Sequence, residues 1–414
     1  MRRRMIRSIQ WNASLIKGAA VASLALLFSA AMVRVVTPNA SEARDFFRDY
    51  SSARNLVSGK PVYGSQEQLL QEYLGPLPHV ETVYNGHPPT SVLLALPFVW
   101  TDYVHATQLW GWLSLGALGL SLAIFLSEMK WSLTIEQWML VLMGLTFWPP
   151  LWLHIGYGQF GLVILLLITL AWRAARTGRD AYAGCLIGLA AAIKIFPAFL
   201  FLYFILRRRW RAASFVALSF ILVNAVTLAI VGVRAYRDYL AIGLPHLSRF
   251  IAHDRNSSLT GFFSRLFSPP LSSWMILISS IVILAVIVRA ATGRHADFDR
   301  EFGLTVTGTL LLCSLTWDHS FVILLLPLGI CAARYSYADA RSQYLLIGSW
   351  ILMALPVPLL PGFNAGPSTL RSLGILSINF YGLLAFFIAE SRFHAVTPEV
   401  HDQTSDQMYA RELR

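Results

Sequence analysis

Charge is what this sequence has little of. Only 13% of its 414 residues are Asp, Glu, Lys or Arg, against about 25% in an ordinary soluble domain. That excludes a typical soluble enzyme or binding module. Cysteine is also scarce. Cys185, Cys313 and Cys331 lie in or beside apolar runs, without metal-ligand spacing, and no disulfide is expected. No HExxH, nucleophile-elbow or P-loop motif occurs. One GxGxxG match runs from Gly156 to Gly161. A dinucleotide fingerprint needs a strand before it, and the flanks here read as membrane helices. A glycine-rich turn that lets helices pack closely is the better reading, with Gln159 facing a site. There is no acidic cluster to hold a metal, so neither metal nor cofactor is expected.

Apolar residues fill the space that charge leaves, at 56% of the chain. A membrane-spanning helix needs about 20 of them, with shorter ones tolerated inside bundles. Segments near 14–36, 104–126, 135–149, 159–172, 182–194, 196–206, 212–232, 272–289, 302–316, 320–333, 343–360 and 372–389 qualify. The expectation is therefore an all-α polytopic membrane protein of about twelve spans. The 13 Trp and 15 Tyr fit interfacial belts. The net charge of +11 does not call for nucleic acid, because basic residues gather at the cytoplasmic ends of spans. RRRMIR, SEMKW, RAARTGRD, RRRWR, RAATGRHADFDR, ARYSYADAR and the tail take that side. The apolar run after MRRRMIRSIQ exceeds the about 7–15 residues of a signal-peptide core and reads as a retained anchor. RAARTGRD and RRRWR both belong inside, yet few residues separate them. Two half-helices broken at Lys194-Ile195-Phe196-Pro197 reconcile this, since proline disrupts a helix interior.

The chain then divides into a cytoplasmic start and first span (1–36), a first outer loop (37–103), a membrane core with the broken helix (104–232), a second outer loop (233–271), C-terminal spans (272–390) and a polar cytoplasmic tail (391–414). ARDFFRDYSSARNLV in the first loop has apolar residues at helical spacing and predicts an amphipathic helix on the membrane surface. QEQLLQEYL predicts a second short helix. GPLPH and NGHPPT predict turns. HDRNSSLTGFFSRLF predicts another interfacial helix, capped by Asn256 or Ser257.

Candidate chemistry gathers at the outer edge. Asp45 and Asp49 share one helix face, and either could serve as a base or as an ion-pair partner of a nearby arginine. Lys194 is the clear cation within an apolar segment. Such residues usually face a cavity and serve function, although a lysine can also snorkel to the interface. Trp317-Asp318-His319-Ser320 joins two spans. His319 could move a proton or meet a phosphate, and Asp318 could cap the next helix. His87 stands in a rigid turn and could bind substrate. His154 reads as a helix-end residue.

These segments, taken in order, resemble glycosyltransferase family 87. The resemblance rests on Asp45-Phe46 with Tyr50 and Ala53-Arg54, Gly59-Lys60-Pro61-Val62-Tyr63 and His87-Pro88-Pro89. Gly158-Gln159, the run Gly188 to Pro197, Asn256-Ser257-Ser258-Leu259 and Trp317-Asp318-His319 continue it. Asp49, His87 and Ser320 depart from residues common at those places. The resemblance implies a GT-C-type bundle with interfacial helices in its outer loops. It implies an inverting hexosyltransferase in the cell (inner) membrane that takes a sugar, typically mannose, from a polyprenyl-phosphate donor on the periplasmic side. The acceptor would be a glycan or glycolipid. It makes Asp45 the base, with His319 orienting it or binding phosphate. Lys194 would hold the donor phosphate, helped by Arg255 or Arg265, and Asp49, His87, Gln159, Asn256 and Asp318 would complete the substrate site. The alternative is a secondary transporter for an anionic or lipid-linked substrate, which shares the many spans and the broken helix.

Overall fold

The computed structural model describes residues 2–37, 44–75, 84–293, 297–360 and 368–393, and every regular element among them is helical. The expected turn after Gly75 and the polar tail lie outside the described residues. Five helices are long and apolar enough to cross a membrane: Lys17–Val36 within Arg2–Val36, Tyr103–Glu128, Trp210–Phe250, Leu271–Thr292 and Thr369–Arg392. A sixth passes if Ile135–Thr146 and Pro149–Tyr157, bent by 52° from one another, count as one span. The remaining expected segments are shorter apolar helices, among them Asp180–Ile193, Phe196–Leu206 and Asp318–Ala333.

Local signals explain most boundaries. Asp102 caps Tyr103–Glu128 by accepting from the His105 amide at 3.0 Å. Thr134 and Gln137 form a reciprocal capping box ahead of Ile135–Thr146. Asp180–Ile193 ends where Lys194 turns extended (φ −141°, ψ 137°), and a short 3-10 turn at Phe196–Ala198 starts the next helix. The break predicted from Pro197 is therefore present.

The segment expected as the first outer loop differs from expectation in one respect. The helix Phe46–Val57 does not lie open on a lipid surface. Phe46, Phe47, Tyr50 and Ala53 are buried, and so are Asp49, Ser51, Ser52 and Asn55 on its other side. Phe46 stacks on Trp110 of Tyr103–Glu128 with ring centroids 5.3 Å apart. The neighbouring helix Pro89–Ala95 covers the polar side. The loop folds onto itself because its own later segment supplies the hydrogen-bond partners that a bare interface would not.

The segment expected as the second outer loop leans on the one expected as the first. The helix Trp210–Asp238 breaks at Gly232 (φ +82°), a conformation that favours glycine. Beyond the break, Tyr236 donates back to the Asn224 side-chain oxygen at 2.9 Å, and the Tyr239 ring meets Tyr63 at 5.8 Å. The helix Leu259–Leu266 forms as predicted, but its cap is Ser258, whose hydroxyl accepts from the Gly261 amide at 3.0 Å. Asn256 and Ser257 fall one or two residues too early for that register.

At the opposite end of the bundle a belt of ion pairs ties helix ends together. Arg334 bonds Asp297 at 2.5 Å and Asp299 at 3.1 Å, and Arg176 reaches Asp299 at 3.1 Å. Arg207 lies 3.4 Å from Glu301, and the Trp172 indole donates to Asp299 at 2.9 Å.

Candidate active site

Asp45 occupies the N-cap position of Phe46–Val57, yet its side chain makes no capping bond. That leaves the carboxylate available. Oδ2 accepts from the Gln159 amide at 2.6 Å, and Oδ1 lies 3.2 Å from the Arg48 guanidinium. Gln159 in turn accepts from the Lys194 ammonium at 2.8 Å. A line of carboxylate, amide and ammonium thus joins three segments, 114 and 35 residues apart along the chain. Gly158 makes the approach possible. It ends Pro149–Tyr157 in the left-handed region (φ +67°), and a Cβ there would stand 2.7 Å from Cβ of Phe46. The glycine-rich turn is a packing device that delivers Gln159 to Asp45.

His319 forms another wall. It is buried, its ring lies edge-on to Tyr157 at 5.6 Å and parallel to Trp317 at 6.2 Å, and neither ring nitrogen has a hydrogen-bond partner among the described residues. Buried polar groups are nearly always satisfied, so this imidazole is suited to meet a substrate group. Its neighbour Asp318 is fully engaged. Arg255 grips it with Nε at 2.9 Å and Nη2 at 2.6 Å, and the His319 amide donates to it at 2.8 Å. Burial lowers the Arg255 guanidinium's affinity for its proton, but the Asp318 charge together with Tyr157 and the Asp318 hydrogen bonds outweighs this and raises it. Arg255 also donates to the Tyr157 hydroxyl at 2.9 Å.

Three residues expected to face substrate are instead spent inside the fold. Asn256 donates to the carbonyls of Ile251 (2.8 Å) and Ser314 (2.9 Å) and accepts from the amides of Ser258 (3.2 Å) and Thr316 (3.0 Å). It clips the second outer loop to the segment that carries Trp317. Arg265 donates to the carbonyls of His253 at 2.9 Å and Asn256 at 2.8 Å. Arg255 braces Asp318 as described. The two arginines are posts that hold the loop, and Lys194 is the cation joined to Asp45 through Gln159.

Asp49 and His87 meet directly. The Asp49 carboxylate is fully buried, with Oδ2 at 2.8 Å from Nδ1 of His87. Its Oδ1 accepts from the Ser91 hydroxyl at 2.6 Å and the Asn85 amide at 3.2 Å. Burial pushes the Asp49 carboxyl up, but the His87 charge and the hydrogen bonds from His87, Ser91 and Asn85 outweigh it and hold it below the usual value. Sequence reasoning missed Ser91 and Asn85. Their place beside the His-Pro-Pro turn was the available signal. His154, read as a helix-end residue, lies in the last turn of Pro149–Tyr157, and its buried Nε2 accepts the Leu162 amide at 3.2 Å and so satisfies the start of Gly161–Arg176.

Comparison with known proteins identifies the family. The model of glycosyltransferase family 87 matches residues 85–316. His87, Gln159, Lys194, Arg255, Asn256 and Arg265 lie within that stretch. Asp318 and His319 lie just beyond its C-terminal end, and Asp45 and Asp49 precede its start by 40 and 36 residues (85 − 45 and 85 − 49). A polyprenol-phosphate-mannose-dependent alpha-(1-2)-phosphatidylinositol pentamannoside mannosyltransferase of Mycolicibacterium smegmatis is 31% identical over 223 residues, covering 52% of each chain. A polyprenol-phosphate-mannose-dependent alpha-(1-2)-phosphatidylinositol mannoside mannosyltransferase of Mycobacterium tuberculosis is 28% identical over 342 residues, 75% of each. An alpha-(1->3)-arabinofuranosyltransferase of Corynebacterium glutamicum is 25% identical over 74% of this chain and 69% of its own length. The chain spans about half the length of the first of these relatives and about three quarters of the second. No solved structure matches. The family match covers more than half of the 414 residues, and the chain belongs to glycosyltransferase family 87.

Proposed function

We propose that this protein is an integral membrane glycosyltransferase that moves a sugar, mannose in our reading, from a polyprenyl-phosphate donor to a lipid-linked or glycan acceptor. The observation that carries the reading is the line Asp45–Gln159–Lys194 at the broken helix. It sets a carboxylate that can take a proton beside a cation that can hold a phosphate. Two of the relatives named above are mannosyltransferases dependent on polyprenol-phosphate-mannose. The transporter alternative finds no support in the family or in these relatives.

The reaction follows from the residues. An acceptor hydroxyl attacks the anomeric carbon from the face opposite the lipid phosphate, and Asp45 takes its proton. The C–O bond to the phosphate breaks with the electron pair leaving on the phosphate oxygen. The transition state is oxocarbenium-like. The leaving phosphate needs positive charge more than it needs an acid, and Lys194 supplies it. His319, with both ring nitrogens free, is placed to hydrogen-bond the same phosphate or to orient the base. Twelve apolar segments with both termini inside would put this site on the periplasmic face of the inner membrane, among prenyl chains and away from cytosolic nucleotide sugars. Membrane lipid is then the setting, and nucleic acid has no part.

The test is transfer by purified protein from a panel of polyprenyl-phosphate sugars to glycolipid acceptors, with the product linkage mapped. The reading fails if Asp45→Asn keeps wild-type transfer, or if no polyprenyl-phosphate sugar serves as donor.

A further inference from the structure

The geometry around Asp49 points to His87 as a substrate-contacting residue. We propose that its Nε2 accepts a hydrogen bond from a sugar hydroxyl, and that Asp49 is the positioning residue that fixes the ring in the tautomer which makes this possible. The inference rests on the transferase reading and deepens it.

A carboxylate only accepts hydrogen bonds. Asp49 Oδ2, 2.8 Å from Nδ1, therefore keeps a proton on Nδ1, so that when the ring is neutral its lone pair falls on Nε2. Asp49 has no freedom to do otherwise: it is fully buried, and its other oxygen is held by Ser91 and Asn85. The backbone of His87 is pinned from both sides. Its amide donates to Asn85 Oδ1 at 2.9 Å, and its carbonyl accepts from the Tyr63 hydroxyl at 2.7 Å. A ring fixed through amide, carbonyl and Nδ1 is preorganised in the way functional groups require.

Nε2 has no bonding partner among the described residues, and the His87 side chain is 17% exposed. A small polar group can therefore reach it. The imidazole stands against the Phe160 ring at 5.3 Å, next in sequence to the Gln159 that bridges Asp45 and Lys194. The free nitrogen thus belongs to the neighbourhood of the proposed reaction. A neutral Nε2 accepts and cannot donate. It suits a hydroxyl and not a phosphate oxygen, so the ligand group is a sugar hydroxyl, on the donor hexose or on the acceptor.

Two substitutions separate this role from simple space-filling. Asn at position 87 reproduces the Nδ1–H donor to Asp49 but places nothing at Nε2. Gln reaches the Nε2 position and can turn its carbonyl oxygen to a hydroxyl. Full-length purified protein carrying His87→Asn or His87→Gln is assayed with polyprenyl-phosphate-mannose and a glycolipid acceptor, varying each separately. The thermal midpoint in detergent serves as the check on folding. His87→Asn is expected to lower kcat/KM about tenfold, the order of one lost neutral hydrogen bond, with the thermal midpoint unchanged. His87→Gln should recover activity to within about threefold on the same scale. The substrate whose KM moves identifies the hydroxyl's source. The proposal is overturned if His87→Asn matches wild type, or if both variants lose activity equally. An Asp45→Asn control run alongside keeps the two questions apart. Activity surviving in that control sinks the base assignment, whatever His87 does.

Discussion

The two ends of the helical bundle use the same side chains to opposite ends. At one end Asp297, Asp299 and Glu301 face Arg334, Arg176 and Arg207, and the charges meet in pairs. At the other end Asp45 is shared between Gln159 and Arg48, Lys194 reaches it only through an amide, and His319 is buried with both ring nitrogens unbonded. The first arrangement pairs each carboxylate with an arginine and holds helix ends together. The second leaves a buried imidazole short of partners beside a carboxylate and a cation joined only through an amide. The difference separates charge that stabilises from charge kept in reserve for a substrate.

That contrast can be broken at either end. The largest effect is expected at Asp45. Asp45→Asn keeps the bond to Gln159 within reach but cannot take a proton, and kcat should fall at least about a hundredfold with the thermal midpoint unmoved. A stable variant that turns over normally would erase the distinction. Next comes Lys194→Met, which removes the cation from the broken helix. Transfer should drop about a hundredfold, and Lys194→Arg should recover part of it because charge is restored on a larger head.

The ion-paired end should respond the other way. Arg334→Ala takes the ion-pair partner from the largely buried Asp297 and leaves Asp299 only Arg176 and Trp172, and should cost about 3 kcal/mol of stability, read as a lower unfolding midpoint in detergent. Transfer per folded molecule should stay the same. Lost turnover in protein shown to be folded would mean that the ion-pair belt reaches the site. The smallest effect concerns Asp49. Its carboxyl is held below the ordinary value of 3.8, so its contribution to stability is present above that pH and is lost as pH falls through the folded value. Wild type should therefore lose midpoint in acid faster than Asp49→Asn, and equal acid sensitivity would show that the buried carboxylate adds nothing.

How much of this could be read in the chain depends on the range over which each property acts. The helix break at Lys194 was legible because Pro197 and the two flanking basic clusters act locally. The helices Gln66–Leu74 and Leu259–Leu266 were legible from their spacing. Ser258 was missed as a cap because three candidate hydroxyl or amide side chains stand in a row, and only the backbone register selects one. Phe46–Val57 was read as a surface helix because its pattern is amphipathic, and nothing in a pattern says whether lipid or protein will cover it. Arg255, Arg265 and Asn256 looked like ligand contacts because they are polar residues in an outer loop. Their bonds are to carbonyls and a carboxylate brought in from elsewhere, which composition cannot reveal.

By itself the sequence determined the class of protein. Scarce charge and long apolar runs leave a helical membrane bundle as the solution, since only helices or closed barrels satisfy backbone groups in lipid. It also determined which residues could carry chemistry, because so few polar side chains were available. Only the tertiary structure decided which of them meet. Gly158 brings Gln159 onto Asp45, the turn at Asn85 brings His87 onto Asp49, and Arg255 is taken up by Asp318. Hydrogen bonds act over about 3 Å, a distance that spacing along a chain of spans does not encode.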